Sequence, residues 1–186
     1  MVLYQLRLKG FKVKNKFRIE SLNRLKNSIN IRTLSKDKRI CVSLLKQIDK
    51  FKPKNILLYI PMDMEVNVLP IINELRKKNN INVYVPFMVG ESFRPVKFRL
   101  PLRRGKFNIK EPKNSFLKVN IDMAIVPVVG IDGIDKRIGF GKGMYDRYYA
   151  SLNHKPYTIF TQRVLCKTTE ILSDDYDIQA DDIITN

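Results

Sequence analysis

Short apolar runs alternate with segments of helical spacing along most of this chain, and few folds accommodate that alternation. Runs typical of buried strands occupy residues 56–60, 81–86, 121–129, 157–161 and 182–185, with a looser candidate at 93–100. Helical spacing predicts helices over residues 17–29, 35–52, 68–78 and 144–152, the second capped by Ser35 and ended by Pro53. Because strands separated by helices pair in parallel, the order predicts an α/β layered fold with a largely parallel sheet.

The length of the chain predicts a single domain. Its 186 residues are 44% hydrophobic and 28% charged, which is close to a globular average. We expect one domain over residues 1–186, and the sequence leaves open whether residues 1–12 are ordered or form a disordered or loosely attached extension. No apolar stretch approaches the roughly 18 residues of a spanning helix. The first ten residues, broken by Arg7 and Lys9, do not resemble a secretory signal.

Cysteine and histidine are scarce. Cys41 and Cys166 lie far apart in the sequence, and His154 is the single histidine, so the chain lacks the residues for a Cys/His zinc site. Two thiols without disulfide spacing fit a reducing cytoplasm. The sequence therefore predicts a cytoplasmic protein without a structural zinc.

Positive charge dominates the composition. Lys and Arg number 35 against 18 Asp and Glu, which gives a formal net charge of +17. The excess is concentrated in residues 1–50, and a field of this sign attracts nucleic acid, anionic lipid or small polyanions such as nucleotides. A lysine-rich composition with a solvated surface explains the same excess equally well. Charge alone therefore selects no function.

The segment from Ile125 to Tyr149 carries the clearest chemical signal. An apolar strand leads through a turn to Arg137 and then to the sequence Gly-Phe-Gly-Lys-Gly at 139–143, after which a helix is predicted. Consecutive backbone N–H groups in a glycine loop, a following helix N-terminus and nearby cations together favour phosphate binding. The spacing matches neither a Walker A loop nor the dinucleotide fingerprint. The alternative is an ordinary glycine turn with a solvated Lys142.

This segment resembles the 5-formyltetrahydrofolate cyclo-ligases, also called 5,10-methenyltetrahydrofolate synthetases. Members carry a stretch like V-P-G-x-x-F-D-x-x-G-x-R-L-G-x-G-(K/G)-G-Y-Y-D-R, and residues 126–147 are similar to it. Four further blocks resemble the family in the family's order: 14–18 (KNKFR), 60–67 (IPMDMEVN), 107–112 (FNIKEP) and 176–185 (YDIQADDIIT). The resemblance extends from about residue 14 to the end of the sequence.

The resemblance implies a fold and a reaction. The fold is a three-layer α/β/α arrangement with a largely parallel, Rossmann-like sheet of the coenzyme A transferase type. The reaction converts 5-formyltetrahydrofolate and ATP, with magnesium, to 5,10-methenyltetrahydrofolate, ADP and phosphate. ATP phosphorylates the formyl oxygen, and the neighbouring amine closes the ring as phosphate departs. Such catalysis depends mainly on positioning and charge neutralisation, which suits a chain with one histidine.

The resemblance also implies site residues. For the ATP site they are Lys14, Arg18, Arg137, Gly139, Gly141, Lys142, Gly143 and Tyr145, with Arg137 and Lys142 as catalytic residues. Two carboxylates, Asp146 and Asp177, are expected to hold magnesium. The folate site is expected to use Ile60, Glu65, Met144 and Tyr145, with Glu65 accepting hydrogen bonds from the pterin.

Each assignment has an ordinary structural alternative. Lys14 and Arg18 would also suit a solvated helix face, Asp146 the first turn of any helix, Glu65 a surface loop and Tyr145 a core. The helix after residue 14 is longer than the family pattern, so Arg24 competes with Arg18, and the Asp177 assignment can shift within its acidic stretch. The chain departs from the family at Phe87, Ile131, Met144 and Tyr176.

Three classes of function remain open on the sequence. Besides the cyclo-ligase, they are a basic nucleic-acid-binding module and a phosphosugar or coenzyme A enzyme on a related scaffold, or an inactive relative. A recognisable RNA- or DNA-binding motif is missing from the sequence. We therefore expect a monomer acting on a small folate substrate, including its polyglutamylated form, with neither nucleic acid nor membrane as partner. The basic loop at 101–117 is expected to act as a flap.

Overall fold

The computed structural model describes residues 2–30, 32–105, 110–114 and 118–186, with side chains from residue 12 onward. Its four helices in this part of the chain are α1 (Val2–Asn27), α2 (Thr33–Phe51), α3 (Leu69–Leu75) and α4 (Met144–Ala150). α2 begins two residues before the predicted cap, because Ser35 turns its hydroxyl back to the carbonyl of Arg32 inside the first turn. Its buried positions, which include Leu44 and Ile48, follow the predicted apolar stripe.

A six-stranded sheet forms the centre of the protein. Its order is β10–β9–β6–β1–β2–β3, with all pairs parallel except the β2–β3 hairpin. Two further two-stranded ribbons join β4 to β5 and β7 to β8. The strands are β1 (Asn55–Leu57), β2 (Asn82–Val89), β3 (Ser92–Lys97), β4 (Arg103–Arg104), β5 (Lys110–Glu111), β6 (Met123–Pro127), β7 (Gly130–Ile131), β8 (Arg137–Ile138), β9 (Tyr157–Gln162) and β10 (Asp182–Thr185). The predicted α/β fold with a largely parallel sheet is confirmed.

Both faces of the sheet are covered, which explains why its strands read as continuous apolar runs. Along β6, Met123 and Ile125 point to a core shared with α2 and α3. Ala124 and Val126 point to a second core that contains the tyrosines of α4. Helices therefore flank the sheet on two sides and form three layers.

Helix α1 packs against β7 and the residues beside it. Gly130 in β7 lies so close to the ring of Phe17 and the hydroxyl of Ser21 that a Cβ at this position would overlap the ring. Leu25 packs in a small third cluster with Val129 and Cys166. This docking directs the helix face carrying Lys14 and Arg18 toward the loop that follows β8.

The expected flap at 101–117 includes the small β4–β5 ribbon. Residues 106–109 and 115–117 lie outside the described part of the chain, and with them the motif residues Phe107, Asn108 and Ile109. The ribbon contacts the main sheet through β5, where the carboxylate of Glu111 accepts a hydrogen bond from the Met88 N–H at 3.1 Å. Among the described helices, none combines the length and apolar character needed to cross a bilayer.

Candidate active site

The glycine loop connects the β7–β8 ribbon to α4 at the carboxyl end of the sheet's central strands. The loop turns through Gly141 (φ +92°) and Gly143 (φ +60°), and the second of these precedes α4 directly. A side chain at Gly143 would be strained in this left-handed conformation. Arg147 fixes the loop from α4, since its guanidinium donates to the carbonyls of Lys142 and Glu91.

A charged cleft lies between this loop, α1 and the segment before β10. It is lined by Lys14, Arg18, Arg137, Gly139, Gly141, Gly143, Asp146, Arg147, Ala150, Asp174, Tyr176 and Asp177. Arg18 donates from Nε to the Gly139 carbonyl at 2.8 Å and also bonds the Asn15 side chain, so its guanidinium is held against the loop. Arg24 is exposed and is not among the lining residues, so α1 presents Arg18 and not Arg24 to the cleft.

Lys14 connects α1 to the segment before β10 in this cleft. Its ammonium lies 2.5 Å from Asp177 Oδ2 and 3.1 Å from Asp174 Oδ2. Burial lowers the pKa of Lys14, but the hydrogen bonds and negative charges of Asp177 and Asp174 outweigh it and raise the pKa overall. Asp177 Oδ2 also accepts the Asp174 N–H at 2.7 Å. The carboxylate of Asp177 is thus fixed, with one oxygen already used by protein donors.

Asp146 lies on the first turn of α4 with one oxygen unsatisfied. Its Oδ1 is buried and has no hydrogen-bond partner in the described part of the structure, while its Oδ2 lies 3.8 Å from an Arg137 nitrogen. The described residues hold no cluster of three His, Cys, Asp or Glu that could bind a metal alone. Magnesium commonly takes one or two carboxylates and completes its shell with waters and phosphate oxygens. The orphaned oxygen of Asp146 and the nearby Asp177 fit that donor set.

A second, apolar cavity adjoins the cleft. Its lining consists of Tyr59, Ile60, Met62, Glu65, Pro86, Met88, Phe93, Pro127, Arg137, Phe140, Lys142, Gly143, Met144 and Tyr145. Phe93 from the β2–β3 hairpin meets the Tyr145 ring edge-on at 4.8 Å. The Tyr145 hydroxyl is buried without a partner among the described residues, and burial raises its pKa. Aromatic and methionine walls with a few polar groups are typical of a site for a flat ring ligand.

Glu65 supplies a carboxylate to the apolar cavity. Burial raises the pKa of Glu65 to about 7, although a hydrogen bond from the Met62 N–H at 2.8 Å and the charges of Arg137 and Arg163 oppose the shift. Near neutral pH the group is therefore divided between its acid and its carboxylate form. It can accept hydrogen bonds from a ligand or, once protonated, donate one.

Arg137 and Gly143 line both the charged cleft and the apolar cavity. Arg137 is 6% exposed, donates to the Pro127 carbonyl at 3.2 Å and lies 4.9 Å above the Tyr145 ring. A phosphate group in the cleft and a ring ligand in the cavity would meet at this guanidinium. Such an arrangement suits an enzyme that transfers a phosphoryl group to an apolar, ring-containing substrate.

The structure brings all the predicted site residues into these two adjoining spaces, and their contacts with ligands stay predictions. Lys142 and Tyr145, both assigned to the ATP site, line the apolar cavity and not the charged cleft, which for Tyr145 agrees with its second assignment to the folate site. Further residues that line these spaces were not among the predicted site residues, and they include Met88, Phe93, Arg147 and Asp174. Asp174 and Arg147 stand within a few residues of assigned positions, which was a usable signal, whereas Met88 and Phe93 reach the site only through the hairpin.

Comparisons with known proteins agree with this architecture. Residues 11–186 match the sequence model of the 5-formyltetrahydrofolate cyclo-ligase family. A 5-formyltetrahydrofolate cyclo-ligase of Mycoplasma pneumoniae is 31% identical over 133 residues, covering 72% of this chain and 73% of that protein. This chain therefore belongs to the 5-formyltetrahydrofolate cyclo-ligase family.

Solved structures give the same result. A 5,10-methenyltetrahydrofolate synthetase from Mycoplasma pneumoniae is similar with a TM-score of 0.72 and 27% identity, covering 92% of this chain and 97% of that one. The solution structure of the Aquifex aeolicus 5,10-methenyltetrahydrofolate synthetase has a TM-score of 0.78 and 26% identity, with coverage of 93% and 89%. The mixed α/β fold is thus that of the synthetases, and neither of the other two classes of function is favoured.

Proposed function

We propose that this protein catalyses the ATP- and magnesium-dependent cyclisation of 5-formyltetrahydrofolate to 5,10-methenyltetrahydrofolate, with release of ADP and phosphate. Membership of the family supports the ligase reaction. The observation that carries the proposal for this chain is the position of Arg137 in the wall of both the charged cleft and the apolar cavity. A reaction between a nucleotide phosphate and a folate ring requires such a meeting point.

The cleft residues divide the work of binding phosphate. Arg18 and Arg137 present guanidinium groups beside Gly139, and Lys14 can exchange its carboxylate partners for phosphate oxygens. Magnesium, bound through Asp146 and Asp177 together with phosphate oxygens, would neutralise charge on the phosphates. Lys142, at the border of the cavity, is placed to stabilise charge on the transferred group.

The cavity residues orient the folate. Ile60, Met144 and Tyr145 provide apolar walls for the ring, and Glu65 in its carboxylate form accepts hydrogen bonds from the donor edge of the pterin. Met144 takes the place of a second tyrosine in the family pattern, so its wall is flexible and apolar. Its backbone carbonyl accepts a bond from the Ser92 hydroxyl at 3.2 Å, which ties α4 to β3.

The wider setting follows from the same proposal. The surplus of positive charge would favour capture of ATP and of polyglutamylated folate. We expect a cytoplasmic monomer, with both cysteine thiols free and buried. Michaelis constants of mono- and polyglutamate substrates at low and moderate salt test the charge argument, since equal constants at both salt concentrations contradict it.

A spectrophotometric assay tests the reaction directly. Purified protein at neutral pH is given 5-formyltetrahydrofolate, and methenyl product is followed with and without ATP and magnesium. We expect product only when both are present, with one ADP formed for each product molecule. Product that forms equally without ATP, or ATP hydrolysis without product, overturns the proposal.

A further inference from the structure

Arg163 lies immediately after β9 and is 3% exposed, yet it is outside both the cleft and the cavity. Its guanidinium donates to both carboxylate oxygens of Asp37, at 2.8 and 3.0 Å. The same group donates to the carbonyl of Asp63 at 3.0 Å and to that of Glu65. One buried side chain thus connects the sheet to α2 and to the segment that carries Glu65.

Asp37 completes the connection from α2. The Asp37 side chain is 7% exposed, and its Oδ2 also accepts the Asn67 N–H at 3.2 Å. Within the segment, Glu65 N–H donates to the Met62 carbonyl at 2.9 Å, and the Glu65 carboxylate accepts the Met62 N–H. The turn from residue 62 to residue 67 is therefore fixed at both ends, and its geometry determines where the Glu65 carboxylate stands.

We propose that Arg163, paired with Asp37, is a positioning residue that holds the 62–67 turn so that the Glu65 carboxylate stays in the apolar cavity. The consequence for folate binding rests on the proposed function. The geometric part, that the pair orders this turn, does not.

The chemistry of the contacts explains why this position holds arginine. The planar guanidinium donates to a carboxylate in a bidentate manner while its remaining N–H groups reach two carbonyls. A lysine ammonium lacks this fork. Because both charges are buried, removing either partner leaves the other uncompensated, so the turn would lose its anchor and its electrostatic balance together.

Arg163 also affects Glu65 through its charge. The charged and titratable groups around Glu65 are Arg137 from β8, Arg163 after β9, and the hydroxyls of Tyr59 and Tyr145, with Lys142 in the same cavity. The positive charges of Arg137 and Arg163 lower the pKa of Glu65 against the effect of burial. An uncharged residue at position 163 should therefore raise the pKa of Glu65 further.

The test compares Arg163→Met, Arg163→Lys and Asp37→Asn with the wild type. Ile48→Val is the control, because it loosens the buried face of α2 about three helical turns from Asp37 and removes no polar contact of the turn. We expect the KM for 5-formyltetrahydrofolate to rise about tenfold or more in Arg163→Met and Asp37→Asn, with the KM for ATP within about twofold of wild type. Arg163→Lys should show an intermediate rise, because it keeps the charge and loses the fork.

Two further readouts separate positioning from general destabilisation. The pH profile of kcat/KM for the folate should shift to higher pH in Arg163→Met and much less in Arg163→Lys. Amide hydrogen exchange over residues 62–67 should accelerate in the three variants and not in Ile48→Val. Equal changes in the two KM values, or exchange at 62–67 that matches the control, overturn the proposal. Should Arg163→Met not fold, Arg163→Lys and Asp37→Asn decide it.

The outcomes also distinguish this inference from the proposed function. A wild-type protein that forms no methenyl product contradicts the proposed function, and hydrogen exchange still decides whether the pair orders the turn. An active wild type whose variants retain normal folate KM and normal exchange contradicts the positioning role alone.

Discussion

Lys14 and Asp177 form an ion pair across the charged cleft, with the ammonium 2.5 Å from the carboxylate oxygen. The lysine proposed to bind phosphate and the aspartate proposed to bind magnesium thus neutralise each other before any ligand is present. Because both side chains are largely buried, the pair holds the two groups in place, and the carboxylates raise the pKa of Lys14.

Replacing Lys14 should weaken ATP use. In Lys14→Met the KM for ATP is expected to rise about 10- to 150-fold, since a charge-assisted contact contributes about 1.5–3 kcal/mol. Steady-state kinetics at saturating magnesium measure it. Lys16→Met, at an exposed position of the same helix, is the control. Similar ATP kinetics in the two variants would remove Lys14 from the phosphate site.

Replacing Gly139 by alanine should reduce activity with little loss of stability. A Cβ at this position would overlap the guanidinium of Arg137, which is the far end of a long side chain and would be displaced before the backbone. The cost therefore falls on the position of Arg137 and not on the backbone. Turnover and urea unfolding, measured together, check this. A variant with normal turnover would show that the placement of Arg137 is not important for the reaction.

Lys142→Ala should lower kcat/KM by about 10- to 150-fold, the scale of one hydrogen bond to a charged group. Lys142 borders the cavity, so we expect the loss mainly in kcat and not in the KM for ATP. Lys78→Ala, which breaks an exposed pair with Asp49, is the matched control. Wild-type kinetics in the Lys142 variant would contradict its catalytic assignment.

Asp146→Asn should increase the magnesium concentration needed for half-maximal activity, because it replaces a carboxylate oxygen by an amide. The measurement is a magnesium titration at fixed ATP and folate. Asp135→Asn, in an exposed pair with Lys167, serves as the control. An unchanged titration would leave Asp146 with a structural role on α4.

Stability should decline as pH rises through the titration of Glu65. Its pKa is raised from 4.5 to about 7, so the folded protein holds a proton there that the unfolded chain has lost. The free energy of unfolding therefore falls between about pH 4.5 and 7. Urea unfolding at pH 5 and pH 8 should show a smaller difference in Glu65→Gln than in wild type. If the two proteins show the same difference in unfolding free energy, burial does not raise the pKa of Glu65.

Local pattern predicted much of the fold. The last strand lies at the expected residues, 182–185, because a short apolar run flanked by polar residues has little alternative in a buried sheet. The start of α1 was not predicted: the apolar spacing indicated a helix only from Phe17, because the many basic residues before it mask helical periodicity. Helix α4 begins at the predicted residue, Met144, and ends two residues early, and the bounds of α2 and α3 differ from the prediction by one to three residues.

The site was predictable where one continuous segment carries it, as the glycine loop does. Long-range partners were not. Arg163 and Asp37 are 126 residues apart, and neither belongs to a motif from which their contact could be predicted. The aromatic wall from Phe93 depends on β3 lying beside α4, a neighbour relation that only the assembled sheet establishes.

The sequence separation between α1 and its contacts bears on how the cleft is assembled. Lys14 is synthesised 163 residues before Asp177, and Gly130, against which Phe17 packs, also follows α1 at a long distance in the sequence. Until these residues have been synthesised, α1 lacks the surface against which it packs in the folded protein. The charged cleft can therefore form only after Asp177 has been added, and translation products that stop before this residue should lack the Lys14–Asp177 ion pair.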